Sequence, residues 1–138
     1  MAKFNCNQVR IIAGMYRRRL VNFPNIHQLR PTSDRMRETL FNWLGTQIVD
    51  SRCLDLFAGS GILGLEALSR RAKEVVFVDK YDEVINTIQS HLKLFNIENA
   101  KTICQEVSPE LLKTFEQFDI LFLDPPFQGQ LLPKVCQW

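Results

Sequence analysis

The chain has 138 residues, 46% of them hydrophobic, which is one domain with a real core. Its formal charge of +2 is unevenly spread: residues 1–37 carry eight basic side chains against the single acid Asp34, a net of +7, and the remainder is net −5. That concentration suits a polyanion, while no apolar run of about 18 residues offers a membrane span.

The first residues also lack the apolar run of a signal peptide, so a cytoplasmic location with no membrane partner is expected. Residues 9–13 and a run around Leu20 and Val21 read as short strands with Gly14 between them, a hairpin. Arg17, Arg18 and Arg19 cluster in this segment and, with Arg10, Arg30, Arg35 and Arg37, are candidate contacts to nucleic acid. Residues 30–34 form a turn that opens a helix. Ser33 or Asp34 caps it, Met36, Leu40, Trp43 and Leu44 share a face, and Gly45 ends it. Residues 1–45 are therefore read as a basic hairpin and helix attached to a core over residues 46–138, within a single domain.

From residue 52 strands alternate with helices. Strands are expected at 53–57, 74–78, 101–104 and 118–123, with helices at 62–71, 81–95 and 109–115 and another opening at Leu131. This alternation predicts an α/β fold, a parallel sheet with helices on both faces and a ligand beyond the C-terminal strand ends. Cys6, Cys53, Cys104 and Cys136 are too scattered for a zinc site and read as reduced thiols; no metal is expected. His27 and His91 have no evident catalytic partner.

Three motifs carry chemistry. In Asp55-Leu56-Phe57-Ala58-Gly59-Ser60-Gly61, a strand enters a glycine turn that opens a helix, so Phe57, Ala58, Gly59, Ser60 and Gly61 are candidate cofactor contacts. The Asp55 carboxylate suits a cationic ligand such as S-adenosylmethionine and would repel a dinucleotide's pyrophosphate. Asp79, twenty residues after Gly59, ends the second core strand, where a carboxylate accepts ribose hydroxyls. Its neighbour Lys80 and, after the third strand, Glu106 border the same region. Asp124-Pro125-Pro126-Phe127 follows the fourth strand and is the catalytic candidate. An exocyclic base amine is a poor nucleophile because its lone pair is delocalised into the ring. Asp124 and a backbone carbonyl, such as that of Pro125, accept its two N–H groups and stabilise the developing charge. Pro126 stiffens the loop and Phe127 offers a stacking face.

The sequence resembles the RsmD family, bacterial methyltransferases of a guanine N2 amine in small-subunit (16S) ribosomal RNA. The resemblance rests on Arg10-Ile11-Ile12-Ala13-Gly14, on residues 29–44, on the glycine turn, on Gly64-Leu65-Glu66-Ala67-Leu68-Ser69-Arg70 and on the DPPF loop. Residues 30–44 are its most specific part. It implies a Rossmann-like class I fold, S-adenosylmethionine as cofactor and ribosomal RNA in a small-subunit particle as partner. Three departures stand out: Ala13-Gly14 replaces two glycines, Arg17-Arg18-Arg19 replaces a basic-Gly-basic turn, and Glu106-Val107 replaces an Asn-Ala-like pair. Family members run well past the DPPF loop, so the C-terminal strands of the sheet are expected to be missing. The fourth strand would then be an open apolar edge that invites self-association. The rival readings are an adenine-N6 methyltransferase, an NAD-dependent oxidoreductase, which the DPPF loop disfavours, and a truncated paralogue that binds cofactor or RNA without turnover.

Overall fold

The computed structural model describes residues 7–24 and 32–124. β1 (Asn7–Arg10) and β2 (Leu20–Phe23) form an antiparallel hairpin with Val9 opposite Val21. α1 (Asp34–Leu44) follows; Ser33 Oγ accepts the Met36 N–H at 3.1 Å, which satisfies one of its orphan donors. Gly45, at φ 56°, ends it and leads into a short 3-10 turn, Gly45–Ile48. The core elements are β3 (Arg52–Leu56), α2 (Ile62–Ser69), β4 (Glu74–Asp79), α3 (Asp82–Leu94), β5 (Ala100–Cys104), α4 (Pro109–Leu112) and β6 (Ile120–Leu123).

The core strands make one parallel sheet in the order β5-β4-β3-β6. Because side chains alternate along a strand, the sheet serves two cores. Cys53, Val75, Phe77 and Phe122 face the larger one, shared with the hairpin, α1, α2 and α3. Leu54, Leu56, Val76 and Val78 face the smaller one, closed by Val107 and Leu111. Helices thus cover both faces, as the alternation of elements predicts. After β5 the chain crosses back to lay β6 beside β3, so strand order reverses between β3 and β6. Their C-terminal ends flank the crevice where sheets of this type bind ligands.

α2 is the most enclosed element, with all eight residues buried. Its small and apolar residues let it lie close to the sheet. A Cβ on Gly64 would sit 2.2 Å from Phe77 Cε1 and 2.9 Å from Val75 Cγ1, so glycine is required there.

Several expectations are corrected. The buried face of α1 is not the Met36/Trp43 face: Met36 and Trp43 are 64% and 81% exposed, whereas Arg37 and Phe41 are buried. Leu40 and Leu44 are partly buried against the larger core. β1 stops at Arg10 rather than reaching residue 13, because the Ile12 and Ala13 N–H groups turn to the Glu66 carboxylate. α4 ends at Leu112, where Thr114 and Phe115 tighten into turns that bring the chain round to β6. β6 begins at Ile120, since the Asp119 side chain is drawn to the Arg52 N–H. His27 and the helix expected from Leu131 lie outside the described residues. No helix among the described residues is long and apolar enough to cross a membrane.

Candidate functional site

The end of β3 bends sharply. Phe57, Gly59 and Gly61 all have positive φ, at 55°, 57° and 80°. Glycine adopts that region freely; Phe57 does so only because the structure around it holds it there. Four bonds fix the turn: Ala58 N–H to the Val78 carbonyl at 2.9 Å, Gly59 N–H to Asp79 Oδ2 at 3.0 Å, Gly61 N–H to the Ala58 carbonyl at 2.8 Å and Ile62 N–H to Ser60 Oγ at 3.2 Å. The other Asp79 oxygen accepts the Tyr81 N–H at 3.1 Å. Asp79 therefore ties the glycine turn to the start of α3 from the end of β4.

Asp55 is buried on β3, and its Oδ2 accepts the Gly64 N–H in the first turn of α2 at 3.1 Å. Burial pushes its carboxyl well above the usual range, the Gly64 bond opposes this, and Asp124 and Asp79 push it further up. The Asp124 carboxyl, at the end of β6, is also raised by desolvation. Three carboxylates from the ends of three adjacent strands thus share one electrostatic neighbourhood. A ligand with a cationic centre relieves their repulsion and a pyrophosphate worsens it. This donor set fits S-adenosylmethionine, which the Gly59–Gly61 turn, Asp79 and Asp55 would hold.

Asp55, Phe57, Ala58, Gly59, Ser60, Gly61 and Asp79 therefore lie around one turn. Lys80 is exposed, its ammonium 5.1 Å from the centre of the Tyr81 ring. Glu106 is exposed just after β5, where the Gln105 N–H meets the Asp79 carbonyl at 2.9 Å. Pro125, Pro126 and Phe127 lie outside the described residues.

The basic residues divide. Arg10, Arg17, Arg18 and Arg35 line one groove of about 570 Å³ together with Ile11, Ile12, Asp34 and Glu38. Arg19 packs instead over the Phe95 ring at 5.2 Å. Arg30 is outside the described residues. Arg37 is corrected as an RNA contact, since it is fully buried. Its guanidinium donates to the Arg10 carbonyl and to Asp34 Oδ1, each at 2.7 Å, and its Nε lies 3.7 Å from Glu66 Oε1. Desolvation lowers its pKa, against the neighbouring carboxylates.

Sequence reasoning gave Glu66, Ser69 and Arg70 no role, yet Glu66 and Ser69 dock the hairpin and Arg70 pairs with Glu66. Glu66, fully buried, accepts the N–H groups of Ile12 at 2.9 Å and Ala13 at 3.1 Å and pairs with Arg70 at 2.9 Å. Ser69 Oγ donates to the Ala13 carbonyl and accepts the Tyr16 N–H. Gly14, at φ 92°, is required because a Cβ there would strike the Ser69 carbonyl. The signal for Glu66 was present: a carboxylate inside the apolar run of α2 must find partners if the helix is buried.

The reversing parallel sheet, the glycine turn after its first strand and the acids ending three strands define a Rossmann-like class I S-adenosylmethionine-dependent methyltransferase fold. Sequence comparison then narrows the class. The family described as conserved hypothetical protein 95 matches residues 9–138. Ribosomal RNA small subunit methyltransferase D of Haemophilus influenzae is 48% identical over 128 residues, 90% of this chain and 66% of that protein. The protein of the same name from Escherichia coli K12 is 44% identical over 127 residues, 92% of this chain and 64% of that protein. A solved structure, the putative methyltransferase yhhF from Escherichia coli, superposes with a TM-score of 0.80 at 42% identity, covering 93% of this chain and 70% of that one. The chain belongs to the RsmD family. It spans about two thirds of the length of these curated relatives.

Proposed function

We propose that this chain carries out, as part of its family's reaction, S-adenosylmethionine-dependent methylation of a guanine N2 amine in small-subunit ribosomal RNA. The observation that carries the reading is the placement of Asp124 at the end of β6, across the strand-order switch from the Gly59–Gly61 turn and Asp79. The cofactor, when bound, supplies an electrophilic methyl group. Asp124 accepts one N–H of the amine and the Pro125 carbonyl the other, which points the nitrogen lone pair at that methyl group. As the nitrogen takes the methyl group and the methyl–sulfur bond breaks, Asp124 would stabilise the positive charge on nitrogen until a proton leaves to solvent. Phe127 stacks the base. Arg10, Arg17, Arg18 and Arg35 hold RNA phosphates in their groove. Names of relatives at 48% and 44% identity support ribosomal RNA as the substrate class.

Two further expectations belong to this reading. The protein works in the cytoplasm, where small subunits assemble. β6 pairs with β3 on one side, and among the described residues no strand covers its other side; Leu121 there is half exposed. Such an edge favours association with another strand.

The test is methyl transfer from labelled cofactor to small ribosomal particles lacking the modification, followed by mapping of the base. Label on a guanine N2 is expected. Label on adenine N6 would replace this reading with the adenine one. Cofactor binding without transfer would make the chain a non-catalytic relative.

A further inference from the structure

The groove between the hairpin turn and α1 contains more than positive charge. The side chains of Arg10, Arg17, Arg18 and Arg35 make no hydrogen bond or ion pair among the described residues, although all four line it. Like charges gathered without partners repel, and a polyanion relieves them. Asp34 is spent on Arg37 at 2.7 Å. Glu38, exposed on α1, is left as the one lining carboxylate with no ion pair, despite four guanidiniums around the same groove. The groove is also built rather than incidental. Arg18 sits at φ 74°, a left-handed conformation unfavourable for arginine. It is held there by its N–H to the Ile11 carbonyl at 2.8 Å and, through its neighbour, by the Ile11 N–H to the Arg19 carbonyl at 3.0 Å. Such a conformation persists only where the surrounding structure holds it.

A simple phosphate hole has no use for a free carboxylate, which repels the ligand. A nucleotide has use for both. Its phosphate takes the donors of arginine, and its base edge presents N–H groups to an acceptor. A carboxylate accepts two parallel donors, and guanine is the base whose Watson–Crick edge places two N–H donors, N1–H and N2–H, side by side. We infer that this groove holds a guanosine of the RNA other than the one being methylated, its phosphate on Arg17 and Arg18 and its amino edge on Glu38. The inference rests on the RNA-methylating reading and makes Glu38 a specificity-determining residue within it.

Short single-stranded RNA oligonucleotides containing one guanosine, or inosine in its place, separate the possibilities when every chain compared also carries Asp124→Ala, so that the catalytic acceptor adds no discrimination of its own. Inosine lacks the N2 amine and is otherwise the same. The full chain should bind the guanosine form about tenfold more tightly, the scale of a good carboxylate–base contact. Glu38→Gln, on an exposed helix face, keeps the fold and removes the paired acceptor. It should bring the two affinities within about twofold while leaving inosine binding equal or tighter, because a negative charge has gone from a basic groove. Discrimination that survives in Glu38→Gln would overturn the inference, as would equal binding of both oligonucleotides by the chain that keeps Glu38. Arg18→Gly separates the two levels of the argument. It should flatten the slope of log affinity against log salt by about 0.7 for both oligonucleotides. Absence of any salt-dependent binding by the unaltered chain would sink the RNA reading and this inference with it, whereas salt-dependent but base-blind binding sinks the inference alone.

Discussion

Replacing Glu66 with alanine removes one side chain and strands several others. The carboxylate is fully buried, accepts two backbone N–H groups from the hairpin, pairs with Arg70 at 2.9 Å and stands 3.7 Å from the Nε of buried Arg37. Truncation leaves Asp34, which is largely exposed, as the only carboxylate beside the Arg37 guanidinium. Breaking a buried ion pair by removing one partner costs about 3–5 kcal/mol. The two amides can reach water once the turn loosens, so their separate penalty is not added in full. The expected loss is therefore about 3–5 kcal/mol, a fall in Tm of roughly 6–20 °C. Denaturant unfolding followed by circular dichroism measures it. Hydrogen exchange locates it: the β1 and β2 amides should lose protection before those of β3 and β4. Removing both charges, as in Glu66→Leu with Arg37→Met, should recover much of the loss, since apolar side chains of similar volume replace a buried pair at little cost. A single-variant loss under about 1 kcal/mol, or a double variant no better than Glu66→Ala, would refute the argument that this carboxylate clamps the hairpin.

Three other outcomes follow from the site. Asp55→Asn should stabilise the fold at neutral pH and weaken cofactor binding. The folded Asp55 carboxyl titrates above its unfolded value because burial disfavours its charge, so its contribution to stability is complete below the unfolded value and is lost as pH rises through the folded one. The variant should lack that component of the pH–stability curve, and an identical curve would contradict it. Asp124→Ala should reduce methyl transfer on the order of 100-fold while S-adenosylhomocysteine affinity by calorimetry stays nearly constant; a parallel loss of both would move Asp124 from the reaction to the cofactor. Neutralising Arg17 and Arg18 together should reduce the salt slope of RNA binding by about 1.4, about 0.7 for each phosphate contact on single-stranded RNA, and adding Arg19→Ala should change it little, because that guanidinium lies over Phe95. A further full step on removing Arg19 would place it in the groove after all.

The core was legible because its signals are local. Glycines at 59 and 61, β-branched residues at 75, 76 and 78 and an aspartate ending β4 each announce a strand, a turn or a strand end. Of the two capping candidates for α1, Ser33 and Asp34, it is Ser33 that bonds within its own turn. What failed was non-local. Arg37 looked like a solvent-facing arginine in a basic segment; it is buried, with Glu66, 29 residues later, as a nearby counter-charge and one guanidinium nitrogen donating to the Arg10 carbonyl and Asp34. With Arg37 inside, α1 turns its Met36 and Trp43 outward, opposite to what apolar spacing alone suggests. Asp55 was read as facing a cation with a helix cap as the alternative, and it does cap α2 through the Gly64 N–H.

The enclosure of α2 has a consequence for how this protein can change. Its first turn is pinned by Asp55, and its last residues carry the hairpin through Glu66, Ser69 and Arg70. Inserting a single residue between Gly61 and Glu66 would rotate that docking face by about 100° and displace it by about 1.5 Å. Glu66 would then point away from Ile12 and Ala13, and the arginine groove would lose its alignment with the glycine turn. The helix is in effect a ruler: the number of residues between its two ends is fixed by what each end has to reach.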